Sequence, residues 1–404
     1  MKILQLCRKF PYPLKDGEAI AVTYLAKAYK SLGHELTLLS FNTIKTFYDT
    51  DKLPSTFDHY RAIHTVYLDN RVKPKAAFLN LFSADSYFIT RFINSEFKNK
   101  LKEVLVSRDF DIVQLEGINL APYIPIIRKF SSAKVVMRSH NVEFEIWERV
   151  AATTSFPLKR WYLKYLVRQF KAYEIAQFKS YDFLLAMSQR DLNYFRELGL
   201  SSAAMVAPIG LNLLNYQDAQ SAVVPPYSMS FIGSLDWMPN QDGLKWFLDR
   251  VWPSIHQSFP DIKFHIAGRN TPEWVFARAG RGVVVHGEVP NASDFIQQHP
   301  ISIVPLFSGS GMRVKILECM ALGRIVLTTP LGLEGIAATH NENILIGETV
   351  KQFIQLLNQA LQQPKKMENI AAKAQTFIVE NYDNIVIGEK ILYRMLNLIK
   401  PIKD

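Results

Sequence analysis

Between Gly309 and Glu318 the chain reads GSGMRVKILE, separated by Ser308 from the apolar run ISIVPLF. Gly309 and Gly311 allow positive φ and a close approach of backbone to ligand, with Ser310 and Met312 in the same loop. Arg313 and Lys315 then place two positive charges at the start of a helical pattern, and Glu318 follows one turn beyond Lys315. A helix start favours negative charge through its N–H groups and macrodipole. Basic residues there run against that preference unless an anion occupies the site, so the pattern points to a phosphate. A carboxylate such as Glu318 accepts hydrogen bonds from ribose hydroxyls. The bland alternative is a solvated Lys–Glu helix pair, which contributes little.

The elements that must position these residues are short β-rich runs alternating with helical patterns. KILQLCR, ELTLLSF, IHTVYL, FDIVQLEG, AKVVMRSHN and DFLLAMS read as strands in the first half. The intervening GEAIAVTYLAKAYKSLGH has helical spacing and closes on Gly33. After the Pro-Pro-containing linker at 211–227, SMSFIGS, IKFHIAGR, VVVHGEV, ISIVPLF, RIVLTTP and NILIG restart the alternation. The fold class is α/β, with two doubly wound domains at 1–210 and 211–384. Ligands in such sheets bind beyond the carboxyl ends of strands. Ser234 and Asn240, Arg269, and Val289 lie in loops at such ends and are candidate ligand contacts beside the 309–318 segment.

Composition narrows the class. A chain of 404 residues, 48% hydrophobic and 21% charged, suits a globular protein with about two cores and not a disordered one. Two cysteines form neither a disulfide framework nor a metal cluster, which fits a reducing cytoplasm. No secretory leader pattern opens the chain, and no run of about 20 apolar residues spans a membrane. The net charge of +10 suits phosphorylated ligands or anionic lipid. Nucleic acid is not expected as a partner, because no zinc-finger spacing or ribonucleoprotein motif occurs.

GSGMRVKILECMALG, with the later PLGLEG, resembles the nucleotide-sugar motif of family 4 retaining glycosyltransferases. FIGSLDWMPNQDGLKWF, HIAGR, HGEV and RSHNVEFEIWER follow the family's order and spacing, so the resemblance spans nearly the whole chain. It implies the GT-B fold, two Rossmann-like domains facing a central cleft, with the helical stretch at about 385–404 returning to the first domain. It further implies a nucleoside-diphosphate sugar as donor, with Glu318 on the ribose and Arg313 and Lys315 on the diphosphate. Gly17 would border the phosphates or donor sugar, His140 would reach the sugar near the reacting carbon, and the Gly287-Glu288-Val289 loop would hold the base. Read without the family, His140 is a buried histidine bonded to a neighbouring carbonyl.

Two positions depart from the family pattern. Ser310 stands where many members carry an acidic residue facing the sugar, and SLDWMPNQDG supplies no basic residue before Lys245. With no carboxylate nucleophile and no Asp-x-Asp metal motif in a convincing loop, the resemblance implies a metal-independent, front-face retaining transfer, in which electrostatic stabilisation does most of the work. The acceptor would be a glycan, a lipid-linked molecule or another hydroxyl compound, in surface polysaccharide or glycoconjugate synthesis. A nucleotide-sugar epimerase of the same architecture and a non-catalytic nucleotide-sugar-binding protein are the alternatives. The basic, aromatic stretch from Phe156 to Tyr181 fits either a core-packed helix with a solvated face or a contact with anionic membrane at its inner surface. KPKAAFLNLFSADSYFITRF is a second candidate surface.

Overall fold

The computed structural model describes residues 1–71, 80, 86–216, 228–309 and 311–400. Most of KPKAAFLNLFSADSYFITRF, the 217–227 part of the linker, and Ser310 lie outside the described residues. The chain divides into two compact units, Met1–Gly210 with Asn384–Asp404, and Leu211–Asp383.

The first unit holds a seven-stranded parallel sheet. Its strands are β1 (Lys2–Cys7), β2 (Glu35–Thr43), β3 (Ala62–Leu68), β4 (Ile112–Glu116), β5 (Lys134–Ser139), β6 (Phe183–Ala186) and β7 (Ala203–Val206), in the order β3-β2-β1-β4-β5-β6-β7. Continuous apolar runs such as KILQLC are covered on both faces, as a parallel sheet flanked by helices requires. Strand β7 was not among the strands expected from sequence. Its AAMV is four residues long, lies at the sheet edge and is only partly buried, so it has no strong apolar signature. The helix Asn384–Ile399 places Ile387, Ile391, Leu392 and Met395 in the core formed by Val22, Ala26 and Tyr29 of the helix Gly17–Ser31.

The second unit holds six parallel strands: β8 (Ser228–Ile232), β9 (Lys263–Ala267), β10 (Val283–Gly287), β11 (Ile301–Val304), β12 (Ile325–Thr328) and β13 (Leu345–Ile346). Their order is β10-β9-β8-β11-β12-β13. The order reverses between β8 and β11, and the loops leaving these two strands flank the crevice where doubly wound sheets bind ligands. Glycine allows the backbones there to crowd together. A Cβ on Gly268 would lie 2.0 Å from the carbonyl oxygen of Gly233, and one on Gly243 would lie 1.6 Å from that of Pro305.

Candidate functional site

The helix Val314–Ala321 follows β11, and its apolar positions Val314, Ile316, Leu317, Cys319 and Met320 are buried. That anchoring fixes where its polar residues point. Gly309 and Gly311 have φ of 98° and 83°, a region that L side chains rarely adopt. A Cβ on Gly309 would also stand 2.9 Å from Trp237 Cζ2. The tight loop brings Arg313 back over itself: its Nη1 donates to the Gly311 carbonyl at 2.7 Å, and its guanidinium lies 5.4 Å from the Trp237 ring centroid. Arg313 is buried, while Met312 is half-buried.

Lys315 points towards the end of β8. Its Nζ donates to Asn240 Oδ1 at 2.9 Å and to the Ile232 carbonyl at 3.3 Å, and lies 4.8 Å from the Phe231 ring centroid. Asn240 is oriented in turn by donating from Nδ2 to the Ser234 carbonyl at 2.8 Å. Burial, aided by the neighbouring charge of Arg313, brings the Lys315 ammonium down to about 7. The cation is therefore held by neutral groups beside a second cation.

Glu318 faces a different neighbour. Tyr216 donates its hydroxyl to Glu318 Oε1 at 3.2 Å, and burial pushes the carboxyl up to about 7 against the effect of that bond. Lys315 and Glu318 do not pair, so the solvated ion-pair alternative fails: each has a separate, half-buried setting. Tyr216 was missed from sequence because it sits in the aperiodic stretch assigned to the linker. Nothing in the sequence singles out Trp237 within its loop, yet it packs beneath both Gly309 and Arg313.

The remaining loop residues surround this centre unevenly. Ser234 donates from its hydroxyl to Asp236, whose other oxygen accepts from Asn270 at 3.1 Å. Arg269 joins the adjoining loop through its carbonyl, which accepts from Leu235 N at 2.8 Å. Gly287 accepts from Gly268 N at 2.7 Å through its carbonyl, and Val289 follows, half-buried. Among the described residues no group of three or more His, Cys, Asp or Glu side chains could hold a metal ion.

Gly17 and His140 belong to the first unit, at the carboxyl ends of β1 and β5. Gly17 opens its helix behind Asp16, whose carboxylate accepts from Ala19 N at 3.0 Å. His140 is buried, and the partner of its Nε2 is a carboxylate, not a carbonyl: Glu116 Oε2 lies 2.8 Å away. Glu116 is fully buried and also accepts from Gln5 and Gln114, each at 2.6 Å, with Arg138 Nη1 at 3.5 Å. Burial alone would raise the Glu116 carboxyl, but Arg138 and His140 hold it below the usual range. An ionised Glu116 makes Nε2 the protonated nitrogen of His140 and fixes the ring. Nearby, Arg8 joins Glu18 at 3.0 Å, Asn119 at 2.9 Å and Glu143 at 3.4 Å, a polar cluster that sequence reading did not find. Its members lie far apart along the chain, and only the parallel strand order gathers them.

Residues 226–363, which contain all of the loop and helix geometry around Lys315, match the profile of the family described as Glycosyl transferases group 1. That stretch of the second unit is similar to group 1 glycosyl transferases. The chain is 24% identical over 397 residues to a Klebsiella pneumoniae protein described as an uncharacterized 44.6 kDa protein in the cps region, covering 95% of this chain and 97% of that one. Among solved structures, it resembles sucrose-phosphate synthase from Thermosynechococcus elongatus, with a TM-score of 0.70 and 14% identity over 98% of this chain and 100% of that one. Anabaena HepE in complex with UDP-glucose gives a TM-score of 0.64 at 14% identity, again covering 98% of this chain and 100% of its counterpart. The fold is that of the GT-B glycosyltransferases.

Proposed function

We propose that this glycosyltransferase moves a sugar from a nucleoside-diphosphate sugar to a hydroxyl acceptor, with retention of anomeric configuration, in the synthesis of a surface polysaccharide. The observation that carries the reading is Lys315: a half-buried lysine next to Arg313 whose ammonium, among the described residues, is held by the neutral oxygens of Asn240 and Ile232. A buried cation is unfavourable unless something compensates it. A diphosphate does so, and its charge grows as the glycosidic bond breaks, so the two cations stabilise the leaving group more than the ground state. In this account they supply the neutralisation that a divalent ion would otherwise provide.

Glu318 accepts from the ribose hydroxyls, and the Gly287–Val289 loop meets the base through its main chain. Gly309, Ser310, Gly311 and Met312 present backbone to the donor, with Ser234, Asn240 and Arg269 beside them. Gly17 borders the donor. His140, its Nε2 proton committed to Glu116 at 2.8 Å, offers its other ring nitrogen to a sugar hydroxyl. The HepE complex with UDP-glucose makes a UDP-sugar the first donor to test, and the cps-region relative supports a polysaccharide setting. The phosphate oxygen freed on the donor side takes the acceptor proton, which accords with the lack of a carboxylate nucleophile in the sequence. Incubation with UDP-sugars and a glycan acceptor in the presence of a chelator, followed by proton NMR of the anomeric coupling, tests the proposal. Retained configuration is expected; an inverted product, or transfer that requires added divalent ion, contradicts it.

A further inference from the structure

We propose that the helix Pro157–Ala176 and the residue before it form a docking surface for an anionic lipid bilayer. The helix is anchored on one side by Leu163, Leu166, Val167 and Phe170, all buried in the first unit. At its exposed N-terminal end three large apolar side chains stand in solvent: Phe156 is 62% exposed, Leu158 67% and Trp161 58%. A core-packed helix with a merely solvated outer face has no need of these. Their exposure is costly in water and is relieved when they enter the headgroup and acyl boundary.

The charges on the same helix are of one sign. Lys159, Arg160, Lys164, Arg168 and Lys171 are its charged residues apart from Glu174, which is turned inward and buried. Arg160, Lys164 and Arg168 recur at helical spacing, so they form a stripe along one exposed side. Among the described residues Lys159, Lys164 and Arg168 have no carboxylate partner; Lys171 has Glu148 at 3.7 Å. A groove beside the stripe is floored by Ala151, Ala152 and Val167 and edged by Lys164, Arg168 and Lys171, with Glu148 the one acidic residue on its rim. An apolar floor with cationic edges matches an acyl chain beneath a phosphate headgroup. The combination of inserted rings and a mostly cationic rim selects a bilayer over a soluble polyanion, which would leave Phe156, Leu158 and Trp161 in water. No helix among the described residues is long and apolar enough to cross a membrane, so attachment would be at the surface.

The test is co-sedimentation of the full-length protein with vesicles of phosphatidylcholine, with and without phosphatidylglycerol, at low and high salt. Binding is expected to require phosphatidylglycerol and to weaken with salt. The double variant Lys164→Gln/Arg168→Gln should bind about thirtyfold less, and Trp161→Ala should weaken binding and abolish a blue shift of tryptophan emission. UDP affinity should be unchanged in all of them, which separates this surface from the donor site. Equal binding to both vesicle types, no binding, or unaltered binding by the variants overturns the proposal. Retention on heparin without vesicle binding reassigns the stripe to a soluble polyanion.

Discussion

Lys315 Nζ lies 2.9 Å from Asn240 Oδ1, joining the helix after β11 to the first turn of the helix Met238–Trp246 that follows β8, across the point where the strand order reverses. This bond sets the direction of the ammonium. In Asn240→Ala the lysine loses its best-placed neutral acceptor, and the lost hydrogen bond to a charged group lowers UDP-sugar affinity about tenfold. Isothermal calorimetry checks this. An unchanged affinity means that Asn240 does not orient Lys315.

If Lys315 and Glu318 hold the donor as proposed, donor binding should have a bell-shaped pH dependence. Lys315 has been brought down to about 7 by burial and must be protonated to meet a diphosphate, so affinity falls as pH rises above that value. Glu318 has been pushed up to about 7 by burial and must be ionised to accept from two ribose hydroxyls, so affinity falls as pH drops below it. Measured between pH 5 and 9, UDP binding should peak near neutrality. In Glu318→Gln the acid limb should flatten while the alkaline limb stays. An acid limb that persists in the variant assigns it to another group.

The same carboxyl weakens the empty protein. Its folded pKa lies above the ordinary 4.5, so its stabilising contribution is complete below that value and is lost as pH rises through about 7. Glu318→Gln should therefore raise the melting temperature at pH 8 and make little difference at pH 4.5, while binding donor less well. Scanning calorimetry at the two pH values reads this directly; a variant less stable than the parent at pH 8 contradicts it.

His140→Ala should separate chemistry from nucleotide binding. In the proposed account the base and ribose are met by the second unit and His140 meets only the sugar, so the Kd for UDP should not move, whereas kcat should fall roughly a hundredfold if His140 touches the reacting sugar. Glu116→Gln keeps the shape of the buried cluster but removes the charge that fixes the tautomer. It should lower kcat less and shift the pH profile of turnover. Loss of UDP affinity in either variant rejects this division of roles.

Much of this was readable in the sequence. The parallel strands announced themselves as apolar runs because both faces are covered, and β1 runs over Lys2–Cys7 within the expected KILQLCR. Gly309, Gly311, Arg313, Lys315 and Glu318 stood out because glycines and cations together are unusual at a helix start. NILIG, read as a strand, contributes only Leu345–Ile346, since pairing at the sheet edge ends there. Tyr216, Trp237 and the Glu116–His140 pair were not legible as partners. Each meets its counterpart only after the strand order is set, and Glu116 lies on β4 while His140 follows β5. A sequence shows which groups can form a bond; the fold decides which of them meet.

The central claim is that residues 309–318 clamp a diphosphate and a ribose, and the most direct test is calorimetry of UDP and of uridine against Arg313→Ala and Glu318→Ala. Circular dichroism should first show that both variants are folded. Arg313→Ala should weaken UDP strongly and uridine little, because the guanidinium serves the phosphates alone. Glu318→Ala should weaken both ligands by roughly tenfold to a hundredfold, because the ribose is common to them. If UDP affinity were unchanged in Glu318→Ala, or if Arg313→Ala weakened uridine as much as UDP, the clamp would be contradicted.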